Sequence, residues 1–270
     1  MMNASSNRIE VNDRTIDAMV RSAQPHLRRA MKLVRRPEAR VAIAPSPIGK
    51  LFVAEGPRGL VSVHFLWKSD AGRTLELLRR KFDLVENEPS TVALRGYIDR
   101  YFAGDLNVLT HAVDLSLVAS EFQRLALTHL RTVPAGAVIS YQGLAAALGH
   151  PDAQRAIGNT MATNPVPIFV PCHRVIKSDG SIGNYGGGVR RKIILLRNEG
   201  FVVKPDLKVP ERAVLGHRKT RIFCRPECTA AHRAGQVNQL IFADASHARH
   251  AGLRPCKLCR PTRFQAIELA

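Results

Sequence analysis

A chain of 270 residues with 45% hydrophobic content can fill one large core or two to three small ones, so globular folding is the expectation. Forty Lys and Arg against 22 Asp and Glu give a formal charge of +18, a balance that favours a polyanionic partner, either nucleic acid or an anionic membrane surface. No apolar run reaches the length of a membrane span, and Glu10, Asp13 and Asp17 occupy the N-terminus where a secretory core would lie, so neither a transmembrane nor an exported chain is expected.

A cytoplasmic protein without membrane association is therefore expected. In that reducing compartment its five cysteines read as nucleophiles or metal ligands rather than disulfides.

In chain order, residues 1–40 read as a basic N-terminal appendage, with Ile16, Met19, Val20, Leu27, Met31 and Val34 forming a helical stripe broken at Pro25. From Val41 to about Phe65, apolar runs separated by Pro45-Ser46-Pro47, Gly49 and Gly56-Pro57-Arg58-Gly59 predict a small antiparallel meander. Helical patterns follow near 71–82 and 90–103, so residues 41–115 form a sheet-bearing subdomain. Ser120-Glu121-Phe122-Gln123 has the form of a capping box and opens a helix to about Thr132, stopped by Pro134 and Gly136. Ser140 caps a second helix, 141–148, ended by Gly149. Asp152 caps a third, 153–163, stopped before Asn164-Pro165. These two short helices have the outline of a helix-turn-helix, although spacing alone favours a plain helical hairpin. A helix at 189–198 takes Gly200 as its C-cap. Residues 116–203 thus make a mainly helical domain. Residues 204–214, with Pro205 and Pro210, read as a linker into a separate module at 215–263.

Pro171-Cys172-His173-Arg174-Val175 places a thiol at the end of an apolar run with an imidazole beside it, the parts of an activated sulfur nucleophile. A thiol of pKa near 8.5 is only a few per cent thiolate at neutral pH, so the chemistry gains from a base. Neighbouring side chains on extended backbone point to opposite faces, so His173 would reach the sulfur through a turn or a bridging water. Read singly, Cys172 is as readily an inert core residue, Tyr141 a helix start and Asn164 a helix stop.

Read together with Ser140-Tyr141-Gln142, Arg155-Ala156-Ile157-Gly158-Asn159, Asn164-Pro165-Val166-Pro167, Gly183-Asn184-Tyr185-Gly186-Gly187-Gly188 and Leu196-Arg197-Asn198-Glu199-Gly200, the stretch from about Ser120 to Gly200 resembles the O6-alkylguanine-DNA alkyltransferase family of single-use repair proteins. The resemblance implies that Cys172 is the alkyl acceptor, His173 a base acting through a water, and Glu199 the carboxylate that orients the imidazole. It further implies that Tyr141 protonates the leaving guanine, that Asn164 ties the recognition helix to the nucleophile turn, and that backbone near Val175 reads the base edge. Tyr185 and the following glycines would line the alkyl pocket. Because a guanine inside a duplex hides its O6 substituent, the nucleotide must be extruded, and Arg155 would fill the stack while Ala156 and Gly158 allow close minor-groove approach. Spacing alone leaves Arg155 equally a phosphate contact or a surface ion-pair residue. The thioether product has no leaving route, so turnover is single and needs no cofactor.

Cys224-x3-Cys228 and Cys256-x2-Cys259, separated by 27 residues, suit a tetrahedral four-thiolate Zn2+ site. A module of this size buries too little core to fold easily without the metal. Ile222 to Cys228 and Gly252 to Pro261 resemble the Ada-type zinc-binding domain, which implies that Cys224 is a second methyl acceptor, from DNA phosphotriesters, with Cys228, Cys256 and Cys259 as the other ligands. Thr229-Ala230-Ala231-His232-Arg233 lacks the arginine that such domains carry after the second cysteine. Phosphate docking then falls to Arg225 or Arg233, or the module is a structural zinc knuckle that only binds DNA. The zinc region here follows the alkyltransferase region, the reverse of the Ada order, and no second helix-turn-helix region is long enough for an AraC-type regulator.

The expected fold class is α/β (α+β): a small sheet-bearing subdomain, a helical alkyltransferase domain with a helix-turn-helix, and a small zinc-binding domain. The expected function is direct reversal of DNA alkylation by a monomer on double-stranded DNA, moving alkyl groups from O6-alkylguanine, with O4-alkylthymine a further candidate, onto Cys172. The rivals are an alkyltransferase-like lesion-binding protein, which typically lacks this thiol, and a zinc-dependent DNA-binding adaptor.

Overall fold

A computed structural model describes residues 21–24, 36–66, 71–233 and 237–262. The residues of the expected N-terminal helical stripe all lie outside the described residues; 21–24, within that segment, are helical and exposed.

The meander forms as expected. Strands β1 (Glu38–Ala44), β2 (Leu51–Gly56) and β3 (Gly59–Phe65) pair antiparallel in sequence order, and β4 (Asp83–Val85), after helix α1 (Ala71–Lys81), adds to β1 in parallel, giving the order β3-β2-β1-β4. Helix α2 (Glu88–Phe102) is capped by Asn87, whose side chain accepts from the Ser90 amide. It buries Leu94, Ile98 and Tyr101, spaced on one helical face, and so directs Tyr101 into the core.

Helix α3 (Glu121–Leu130) starts at Ser120, whose hydroxyl accepts from the Gln123 amide. Strand β5 (Ala137–Ser140) runs directly into α4 (Tyr141–Ala147), capped by Ser140 through the Gly143 amide at 2.9 Å. Helix α5 (Gln154–Ala162) does not use the expected Asp152: the cap position is Ala153 and no side chain bonds there. The helix is held instead by burial of Ile157, Thr160 and Met161. A single 3-10 turn, Cys172–Arg174, leads into β6 (Val175–Ile176), which lies parallel to β5. Helix α6 (Val189–Asn198) follows and ends at Glu199-Gly200.

The remaining elements are β7 (Val214–His217), β8 (Ile222–Cys224), α7 (Thr229–Arg233), β9 (Gln239–Phe242), α8 (Ala245–His250) and β10 (Arg254–Pro255). They do not stand apart. One six-stranded sheet runs β10-β8-β7-β9-β5-β6, because β9 pairs antiparallel with β5 through Ala137 opposite Phe242 and Val138 opposite Ile241. Alternation along β5 splits its side chains between two cores. On one side Ala137 and Ile139 join Leu127, Val133, Leu240, Phe242 and Leu253; on the other Val138 joins Ile176, Leu196, Phe201 and Ala243.

Residues 204–214, expected as a linker, are likewise packed. The amide of Ile182 donates to Leu207 O, that of Val209 donates to Gly180 O, and Val203 and Val209 lean on the second core. Glu38–Ala270 is accordingly one compact unit, separate from Met1–Pro37. Among the described residues no helix is long and apolar enough to cross a membrane.

Candidate active site and metal centre

The chain reaches Cys172 through a loop that Asn164 closes on itself. Its Nδ2 donates to Val170 O at 2.8 Å and its Oδ1 accepts from the Val166 amide at 3.0 Å. Within the loop, buried Ile168 is held in the left-handed region at φ +77°, a rare conformation for a β-branched residue. The loop is also tied to the meander, since the Val63 amide donates to Pro165 O.

Cys172 is 5% exposed and its thiol donates to Tyr185 Oη at 3.9 Å. Both border a cavity of about 90 Å³ whose other walls include His64, Phe65, Met161 and Pro167. Phe65 meets the Tyr185 ring edge-on at 6.4 Å between centroids. Burial pushes the Cys172 thiol up, partly opposed by Asn164, Tyr185 and the nearby charge of Lys192. At neutral pH the sulfur is therefore a thiol, and attack requires a base.

His173, next in the chain, has the chemistry to act as one. It is fully buried, and its Nε2 lies 2.9 Å from Glu199 Oε1. Its other nitrogen, Nδ1, is buried without a hydrogen-bond partner among the described residues. Burial lowers the imidazole pKa more than Glu199 raises it, with Arg174 and Lys192 adding to the fall, so the ring is neutral and able to accept a proton. Glu199 is itself clamped: Arg174 Nε donates to Oε2 at 2.7 Å, Arg174 Nη2 to Oε1 at 2.8 Å, and Tyr101 Oη to Oε1 at 2.9 Å. Burial alone would raise this carboxyl, but Arg174 and His173 outweigh it and hold it far below the usual carboxylate range.

Lys192, with no exposed surface, gives its ammonium to the carbonyls of Val175, at 2.6 Å, and Ile182. Desolvation lowers its pKa to about 8, with Cys172 pulling the other way. The Val175 carbonyl thus already carries one hydrogen bond.

Tyr141 opens α4 half-buried against the main core. Burial and then Cys172 push its phenol up, which keeps the proton on oxygen. It does not border the small cavity, whereas Asn164 and Tyr185 do. Arg155 and Ala156 are exposed on α5 and Gly158 half-exposed, on the side away from buried Ile157 and Met161.

Sequence reasoning missed Tyr101, Arg174 and Lys192. Arg174 directly follows Cys172-His173, and Lys192 falls on the face of α6 that also carries Leu195 and Leu196, a lysine on an apolar stripe; both were readable signals. Tyr101, about 70 residues from the motif, carried none.

The Sγ atoms of Cys224, Cys228, Cys256 and Cys259 all lie within 4.8 Å of one another. A tetrahedral zinc with Zn–S of about 2.3 Å sets sulfurs about 3.8 Å apart, so the cluster has the right size. The Arg225 amide points at Cys259 Sγ from 3.4 Å. Burial and the neighbouring thiols Cys256 and Cys228 push Cys224 well up, so four thiolates at this spacing need a cation among them. The donor set fits Zn2+.

Residues 121–201 match the family model of the 6-O-methylguanine DNA methyltransferase DNA binding domain, and residues 201–262 match that of the metal binding domain of Ada. The bifunctional transcriptional activator/DNA repair enzyme Ada of Escherichia coli is 34% identical over 161 residues, 59% of this chain and 45% of that protein, so the chain spans under half of that relative. The structure of Mycobacterium tuberculosis OGT in complex with DNA aligns with a TM-score of 0.51 at 31% identity, covering 59% of this chain and 92% of the other. The methylated-DNA–protein-cysteine methyltransferase of Mycobacterium leprae is 38% identical over 162 residues, 60% of this chain. That alignment takes in 93% of the Mycobacterium leprae protein, and the chain belongs to the methylated-DNA–protein-cysteine methyltransferase family.

Proposed function

We propose that this chain repairs DNA by moving the alkyl group of O6-alkylguanine irreversibly onto Cys172. The observation that carries the reading is the line from a pocket-facing thiol to a neutral buried imidazole to a carboxylate clamped by Arg174 and Tyr101. Cys172 Sγ bonds to the alkyl carbon as the carbon–O6 bond breaks. The thiol proton passes through a water to His173 Nδ1, and Tyr141 donates a proton to the guanine ring, so that the base leaves neutral. Glu199 stabilises the imidazolium that forms. Asn164 positions the nucleophile loop, backbone at Val175 meets the base edge, and Tyr185 walls the alkyl group. Arg155, exposed on α5, enters the stack of double-stranded DNA when the nucleotide is extruded, with Ala156 and Gly158 against the groove. The acceptor acts as a monomer on chromosomal DNA in the cytoplasm, where its thiols stay reduced.

The zinc module binds DNA through its basic surface, and Cys224, a metal-bound thiolate, is its candidate acceptor of methyl from phosphotriesters; Arg225 or Arg233 would dock the phosphate. A structural zinc knuckle is the alternative for this module alone.

Intact mass spectrometry after incubation with alkylated duplex, followed by peptide mapping, tests both. Cys172→Ser should gain no mass from O6-methylguanine DNA while still binding it, and undiminished transfer would remove Cys172 from its role. A methylphosphotriester duplex with normal guanine should add one methyl to the Cys224 peptide even in that background. Zinc retained with no gain at Cys224 would leave the knuckle reading.

A further inference from the structure

The C-terminal module touches the catalytic half at a point one residue from Glu199. A β-carbon at Gly136 would sit 2.0 Å from His247 Cδ2, and one at Gly200 would sit 2.4 Å from His247 Nε2. The imidazole of α8 therefore occupies a notch that exists only because both positions lack side chains. Both glycines also have positive φ, +73° and +80°, so neither site takes another residue easily.

The ring is held rigidly in this notch. Its Nδ1 lies 2.8 Å from Asp244 Oδ1, which also accepts from the His247 amide at 2.9 Å. Asp244 caps α8 and is approached by Arg212 at 3.9 Å. The helix is brought there by the β9–β5 pairing and by the Ala243 amide donating to Gly136 O at 2.9 Å. On the other side, Gly200 belongs to the turn that ends α6, with its amide donating to Arg197 O and that of Phe201 to Leu196 O. The same turn aims Glu199 at His173, Arg174 and Tyr101.

We propose that His247 is a positioning residue for Glu199: wedged between Gly136 and Gly200, it fixes the turn that sets the carboxylate on His173, so the zinc module completes the alkyl-transfer site. This rests on the reading of Cys172 as the acceptor. A gap at position 247 would let the turn shift and admit water to the buried cluster of His173, Glu199, Arg174 and Lys192. Burial is the largest influence on His173, so its titration would move up toward the ordinary value.

The test uses the full zinc-loaded chain with free O6-benzylguanine as probe, measuring the rate of Cys172 alkylation against pH, together with the NMR titration of the His173 ring and the melting temperature. His247→Ala should keep its zinc and lose between about ten- and a hundredfold in rate at neutral pH, as expected for a small misplacement of a catalytic group. Its acid limb and the His173 titration should both move up, and His247→Gln, whose amide reaches the same notch, should recover most of the rate. A His247→Ala chain with wild-type rate and unmoved His173 titration overturns the proposal, as does a slower chain whose limb and titration stay put, since that marks mere destabilisation. Wild-type protein that gains no alkyl group from either O6-benzylguanine or an O6-methylguanine duplex would instead sink the alkyl-transfer reading, and the His173 titration would still decide whether His247 positions Glu199.

Discussion

Tyr101 Oη donates to Glu199 Oε1 at 2.9 Å, joining side chains 98 positions apart in the sequence. The meander subdomain therefore does more than support the second half of the chain, because its helix α2 supplies one of the hydrogen bonds that satisfy a fully buried carboxylate. Tyr101→Phe keeps the ring and removes that bond. A loss of about 1–3 kcal/mol in unfolding free energy is expected by denaturant titration, together with slower alkylation of Cys172, since a buried charge loses a partner. Unchanged stability would show that Arg174 and His173 suffice.

Transfer should depend on pH through His173. Its pKa lies below 6.5 because burial outweighs the pull of Glu199, so the neutral base is present at and above 6.5 and the rate should fall only as pH drops below it. A limb above 6.5 in rate profiles with free base would contradict this. Glu199 governs stability in the same direction. Its folded pKa is far below the unfolded value of 4.5, so the unfolded chain takes up the proton first; the carboxylate's contribution is complete above 4.5 and is lost as pH falls through 4.5 toward the folded value. Acid unfolding curves of Glu199→Gln and wild type should converge at low pH.

Arg155→Ala should slow repair of duplex substrate at least tenfold, on the order of the few kcal/mol that unstacking requires, and leave reaction with free alkylguanine base nearly unchanged. Equal losses on the two substrates, in parallel rate measurements, would assign Arg155 to folding or to the pocket.

Zinc removal should affect the whole compact unit. Phe223, Leu240, Phe242 and Leu253 belong to the same core as Leu127, Leu130 and Val133, so a chelator or Cys256→Ala should lower the single melting transition and slow alkylation of Cys172. Two separate transitions, with the catalytic one unmoved, would restore the picture of an independent module.

The helices at 141–148 and 189–198, the meander and the four-cysteine cluster were all legible, because capping, periodicity and ligand spacing are local signals. Asp152 misled because a favourable cap residue was outweighed by burial of Ile157 and Met161. The proline-bearing stretch at 204–214 read as a linker because its hydrogen bonds run to Gly180 and Ile182, which nothing local announces. The docking of the module was hidden for the same reason: β5 and β9 have four residues each, and their pairing is a tertiary fact. Within the site, the resemblance pairs His173 with Glu199 and the two side chains do meet, at 2.9 Å, while Tyr101 and the His247 wedge depend on contacts between distant segments that no motif announces.

The pairing of β5 with β9 also bears on how the chain is made. Residues 137–140 leave the ribosome some hundred residues before 239–242, so for that interval β5 has β6 on one edge and an open backbone on the other. An unpaired edge invites pairing with another chain, and the turns at Gly136 and Gly200 stay uncovered until α8 arrives. A nascent chain stalled before residue 239 would thus be prone to self-association, and the arrival of β9 would end that exposure by closing the edge.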